Sequence, residues 1–141
     1  MKTDTLSGPE LNFAVAMADG LSPMMSHAYY LKVVEEYGDD HWFATNLKTE
    51  PNIPVIVNVI GDMTAIPDFS NEWGHGGPII EKGKINFVEI SSNNEWVATM
   101  PRPKMVGWRI MSSGPTQLIA AMRCFVKSEL GEDVDLPEEL I

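Results

Sequence analysis

Apolar positions recur along the chain with two periods, one near 3.6 toward both ends and one of 2 through much of the middle. Near the start, Leu11, Ala14, Val15 and Ala18 share the i, i+3, i+4, i+7 spacing of one helical face. Ser7 is placed to cap that helix and Glu10 to reach back in a Ser-x-x-Glu capping box. Pro9 is tolerated in the first turn and Gly20 is a stop signal. A second helix is expected near the other end, with Ser113 or Gly114 near its cap and Pro115 in its first turn. Leu118, Ile119, Met122, Phe125, Val126 and Leu130 give it a broad buried face, and Gly131 ends it.

Between the helices the period shortens. Residues 53–60 read as a strand with Val55, Val57 and Val59 on one side. Residues 85–90 and 95–100 read as a hairpin turning through 91–94, and residues 105–111 as a fourth strand after the break at Pro101 and Pro103. Residues 26–47 are ambiguous: Tyr29 to Val34 suits a strand, whereas 28–37 also fits a helix. The economical architecture is α+β, a mainly antiparallel sheet of about four strands flanked by two principal helices. It reads as one domain over 1–141 with a short acidic tail from about residue 131.

Composition narrows the setting. A chain of 141 residues with 44% hydrophobic content suits one folded domain. No apolar run approaches the ~18–20 residues of a membrane span, and residues 1–5 lack the features of a secretory signal. The sole cysteine, Cys124, suits a reducing compartment and reads as a small buried apolar residue of the last helix. These features point to the cytosol and to no membrane. The net charge of −10 argues against direct nucleic-acid binding, which needs a basic surface, and suits either solubility or a basic partner. The densest acids are Glu129, Glu132, Asp133, Asp135, Glu138 and Glu139, with no base after Lys127, which reads as a solvated tail.

Three constellations have ligand-capable chemistry. In Trp73-Gly74-His75-Gly76-Gly77-Pro78, glycines would let backbone N–H groups approach a ligand while Trp73 offers a stacking face and His75 a polar contact; the plainer reading is a tight turn before a strand. It lacks the ending of a phosphate loop and the setting of a dinucleotide fingerprint. The second is the start of the last helix, where Ser112, Ser113 and Thr116 add hydroxyls to a latent anion site and Arg109 or Arg123 adds charge, against ordinary capping. The third pairs Trp73, Trp96 and Trp108 with Arg102 and Arg109, against core packing for the strand tryptophans. Catalytic patterns are weaker. His27, His41 and His75 are scattered, Asp39-Asp40-His41 suits an exposed turn, no nucleophile elbow is present, and Glu81 with Glu89 is a bare carboxylate pair. No cofactor or metal is implied.

Three stretches together, 6–16, Trp73 with 76–81, and 114–126, resemble the NinX-like family of small proteins of tailed bacteriophages and prophages, a family of unassigned function. The run 114–126 is the most specific of the three. The chain departs from the family pattern at Phe13, where a Trp is usual, and at Gly74-His75, where Ala-Gln is usual. The resemblance implies a phage accessory protein in the cytoplasm of an infected bacterial host.

The leading expectation is a non-enzymatic binder of a small anionic, nucleotide-like ligand, sequestering a host immune signal. Its contacts would be Trp73, His75, Gly76, Gly77, Glu81, Arg109, Ser113, Thr116 and Arg123. The alternatives are an acidic inhibitor of a host defence or nucleic-acid-processing enzyme and a small enzyme of unknown reaction. Self-association into a homo-oligomer is left open by the sequence.

Overall fold

A computed structural model describes residues 1–38, 51–58, 60–90, 92–101 and 109–141. The elements run α1 (Gly8–Ala18), β1 (Pro23–Met25), α2 (Ser26–Tyr37), β2 (Pro54–Val57), β3 (Met63–Ala65), α3 (Trp73–Gly83), β4 (Asn86–Ile90), β5 (Trp96–Pro101), β6 (Arg109–Gly114) and α4 (Gln117–Leu130). The fold class is α+β as expected, but the described strands form two antiparallel three-stranded sheets, β1-β2-β3 and β4-β5-β6, rather than one sheet of four. The two extra strands, β1 and β3, have three residues each, too short for an alternating pattern to register. Of the expected strand at 53–60, Pro54–Val57 is strand among the described residues, and the Asn58 side chain accepts from the N–H groups of Ile60 and Asp62; Val59 lies outside the described residues.

Among the described residues four α-helices stand where two were expected, and α4 is the central one. It lies on the inner face of the second sheet and touches α1 and α3. Period-2 alternation in β6 sends Ile110, Ser112 and Gly114 inward and leaves Arg109 and Met111 exposed. Ala98 and Met100 of β5, with Met122, Phe125 and Val126 of α4, complete this layer. Each large apolar side chain buried there contributes about 1.5–3 kcal/mol. Cys124 is fully buried, as the sequence implied, and burial pushes its thiol up to about 12.

Helix ends follow local chemistry with two corrections. Ser7 is at the N-cap of α1 but makes no side-chain cap bond, so the capping box is not formed; Pro9 does fall in the first turn. At the other end Gly20 N–H reaches Met17 O and Leu21 N–H reaches Ala16 O, the paired bonds of a Schellman stop. In α4 the cap is Thr116, whose Oγ1 accepts from Ile119 N–H at 3.1 Å, so Pro115 precedes the helix and Ser113 and Gly114 close β6. The strand can run into the helix this closely because residue 114 is glycine: a Cβ there would sit 2.8 Å from Ala120 N.

The largest departure is at 73–83. The expected glycine-rich loop is a helix, with Pro78 inside it. Gly76, Ile79, Ile80 and Gly83 share helical i, i+3, i+4, i+7 spacing, and two of those four positions are glycines that give no hydrophobic signal. Gly76 is buried where α3 crosses α4; a Cβ would lie 2.5 Å from Leu118 Cδ2 and 2.6 Å from Phe69 O. Packing therefore overrides the poor helix propensity of glycine and proline.

The acidic side chains after Gly131 are exposed, as read from the sequence, but the backbone that carries the first of them is pinned. Thr3 N–H donates to Glu132 O at 2.8 Å, Thr3 Oγ1 to Gly131 O at 2.7 Å, and Val134 N–H to Met1 O at 2.9 Å. Val134 is buried in the main core.

The Gly76 contact gives a paired prediction. Gly76→Ala is expected to destabilise the fold by about 1–3 kcal/mol through overpacking. Gly77→Ala, with nothing within 4 Å of its added Cβ, is expected to be neutral or to stabilise by up to ~1 kcal/mol. Urea denaturation of both variants checks the difference, and equal effects would contradict the crossing described.

Candidate functional site

Trp73 is the first residue of α3, and the Gly76–Leu118 crossing sets that end of α3 beside the start of α4. In the second sheet Trp96 pairs with Gly114, two residues before the Thr116 cap. The result is an open cleft of about 300 Å³ with Ser70, Asn71 and Trp73 on one wall and Trp96, Thr116 and Gln117 on the other. Trp73 is 54% exposed, an unusual state for an indole, whereas Trp96 is half-buried and meets Phe87 edge-on at 6.3 Å. Two helix starts thus open on one cleft. An α-helix leaves its first N–H groups without partners in the helix; Thr116 takes that of Ile119, while Gln117 and Leu118 line the recess.

The Ser70–Asn71 wall is held by a polar network that the sequence reading missed. Asn12, buried in α1, donates from Nδ2 to Asp68 Oδ1 at 2.9 Å and accepts from Ser70 N–H at 3.0 Å. Asp68 Oδ1 also accepts from Asn71 Nδ2 at 3.1 Å. The available signal was Asn12 itself, a polar residue between Leu11 and Phe13 on a helix that is otherwise buried there.

The other expected site residues are dispersed. Gly76 N–H donates to Glu72 O at 2.9 Å, so helix formation takes the group that was to cradle a ligand, and the same ladder directs Gly77 along the helix axis. His75 is exposed, with Nε2 3.5 Å from Glu72 Oε2, and Glu81 is exposed on α3. Arg109 begins β6 and Gly114 ends it, a separation of about 17 Å along a strand, so Arg109 is remote from Thr116. Its Nε donates instead to Thr99 Oγ1 at 2.9 Å. Ser113 is half-buried in β6 and its carbonyl accepts from Arg123. Arg123 is buried: Nε donates to Leu6 O and Nη1 to Ser113 O, both at 2.8 Å. Its guanidinium joins the N-terminal segment, β6 and α4. Residues 39–41, Arg102, Trp108 and the side chain of Glu89 lie outside the described residues.

Beneath Arg123, Asp4 accepts from Ser112 Oγ at 2.9 Å and from Lys127 Nζ at 2.9 Å. Partial burial opposes ionisation of Asp4, but those two hydrogen bonds and the charges of Lys127 and Arg123 outweigh it and hold the carboxyl below its ordinary value. Among the described residues, no group of three or more His, Cys, Asp or Glu side chains is arranged to hold a metal ion. No described helix is long and apolar enough to cross a membrane.

The sequence pattern of the family described as Bacteriophage P22, NinX, matches residues 2–129. No curated protein matches the chain.

The Asp4 cluster generates a pH prediction. A depressed folded-state value means stability that is fully present above the ordinary carboxyl value of 3.8 and is lost as pH falls through the lower folded value. Asp4→Asn is therefore expected to lower the denaturation midpoint at neutral pH and to make no difference in strong acid, where Asp4 is itself protonated. An equal loss at neutral pH and in strong acid would show that its charge is not what matters.

Proposed function

The chain belongs to the Bacteriophage P22 NinX family, and on that premise we propose that it is a phage accessory protein that binds a small anionic, nucleotide-like ligand without turning it over. The observation that carries this reading is the convergence of Trp73, Trp96 and the Thr116 helix start on one cleft. A base stacks on an indole without regard to sequence, and each such contact is worth about 1–3 kcal/mol. A phosphate or other anionic group accepts from the free N–H groups at the start of α4, where the helix dipole favours negative charge. The cleft volume of about 300 Å³ is at the small end for ligand sites, which suits one nucleotide unit. In an infected bacterial cytoplasm such binding would remove a host signal molecule from circulation.

The arrangement revises the contact set. Trp73 and Thr116 remain, Trp96, Ser70, Asn71 and Gln117 join them, and Arg109 and Arg123 serve other partners. The second reading, an acidic inhibitor of a host enzyme, draws on the net charge of −10 and on the exposed carboxylates after Gly131.

Calorimetric titration with a panel of cyclic and linear nucleotides tests the first reading. Binding of at least one is expected, with Trp73→Ala weakening it about tenfold or more, equivalent to ~1.4 kcal/mol. Absence of heat and of any shift in Tm across the panel would sink it. Salt-sensitive capture of a host enzyme, lost on reversing Glu132 and Asp133, would favour the second reading instead.

A further inference from the structure

A second recess, of about 370 Å³, opens between α1, β1 and the C-terminal segment. Phe13 and Met17 from α1 and Met24 and Met25 from β1 form its apolar lining, and Asp135 and Glu139 are on its rim. We propose that this recess docks a basic amphipathic segment of a partner protein, with apolar side chains on the methionines and lysine or arginine on the rim carboxylates.

The lining argues for a peptide surface of adaptable shape. Methionine is unbranched, flexible and polarisable, and a surface rich in it can repack around apolar side chains of different outline. Met25 is buried and anchors β1, while Met17 and Met24 are half-buried at the opening. The rim sets the sign of the partner. Asp135 and Glu139 are exposed, and no ion pair among the described residues neutralises either of them. A charge of −10 on the whole chain adds long-range attraction for a cation. A second copy of this chain is disfavoured as occupant, because face-to-face docking would bring the same carboxylates together on two strongly acidic molecules. The Trp73 cleft plays no part, so this proposal stands or falls apart from the nucleotide reading.

The test uses the full chain with 13C-methyl methionine and, as probe, a helical peptide of leucine and lysine alone. The methyl resonances of Met17, Met24 and Met25 are expected to shift on titration. Asp135→Lys with Glu139→Lys is expected to weaken binding about tenfold or more. Glu35→Lys with Glu36→Lys reverses the same charge about two turns along α2 from Ala28, which also lines the recess, and is expected to change affinity less than about threefold. Trp73→Ala is expected to leave peptide binding unchanged. Equal loss in the two double variants would show generic attraction and overturn the proposal. So would unmoved methionines, equal binding of a leucine–glutamate peptide, or self-association through the recess seen by sedimentation.

Discussion

A buried guanidinium holds this architecture together. Arg123 is two turns inside α4, shielded from water, and bonded to the carbonyls of Leu6 and Ser113. Burial works against its charge, yet an arginine keeps its proton and must find acceptors. The two acceptors are on segments far apart in sequence, so satisfying one charge fixes the entry to α1 and the end of β6 against α4. Removing the side chain would take a donor from both carbonyls, and removing either acceptor would leave a buried charge short of a partner, which is why a buried ion of this kind is more expensive to break than to keep. Asp4, held by Ser112 and Lys127, supplies nearby negative charge and ties the N-terminal segment to the same place.

From that fixed point the cleft follows almost as a geometric consequence. With β6 set against α4, Gly114 lets the strand run directly into the helix cap, and Trp96 across the ladder is carried to the same edge. Gly76 then allows α3 to approach until Leu118 fills the space a side chain would take, which places Trp73 at the mouth. Asn12 completes the wall by holding Ser70 through its backbone N–H. The cleft is therefore built by residues with no reactive chemistry of their own, mainly two glycines and an asparagine.

What was legible in the sequence was whatever carries a hydrophobic period. The helices α1 and α4 and the β4–β5 hairpin stand where the pattern put them, and the α+β class follows from them, although α1 is buried on all sides through residues 11–16. The helix at 73–83 was hidden because glycine supplies space instead of apolar surface, and space leaves no periodic mark. The same limit explains Arg123 and Arg109. A basic residue near a helix start looks like an anion contact in one dimension, and only the fold shows that one is turned inward to carbonyls and the other is a strand's length away. The juxtaposition of Trp73 with Thr116 came from the tertiary crossing, which no local spacing encodes.

The charge distribution constrains how such a cleft can hold an anion. An anionic ligand approaches a chain of net charge −10 against its field, and that repulsion extends over a Debye length of about 8 Å at physiological ionic strength. The helix-start N–H groups act only within their own first turn, so their attraction is short-ranged and is felt after desolvation. Neither Arg109 nor Arg123 is placed to extend it. Affinity would then rest on the face of the bound ring against Trp73 more than on its phosphate. Added salt should screen the repulsion without much weakening the stacking, the opposite of what an arginine-lined phosphate site would show. A basic segment approaching the Met24 recess meets the reverse condition, attracted from a distance and weakened by salt. The two recesses differ in the sign of the field each ligand must cross, and that difference follows from where the folded chain uses its few cations.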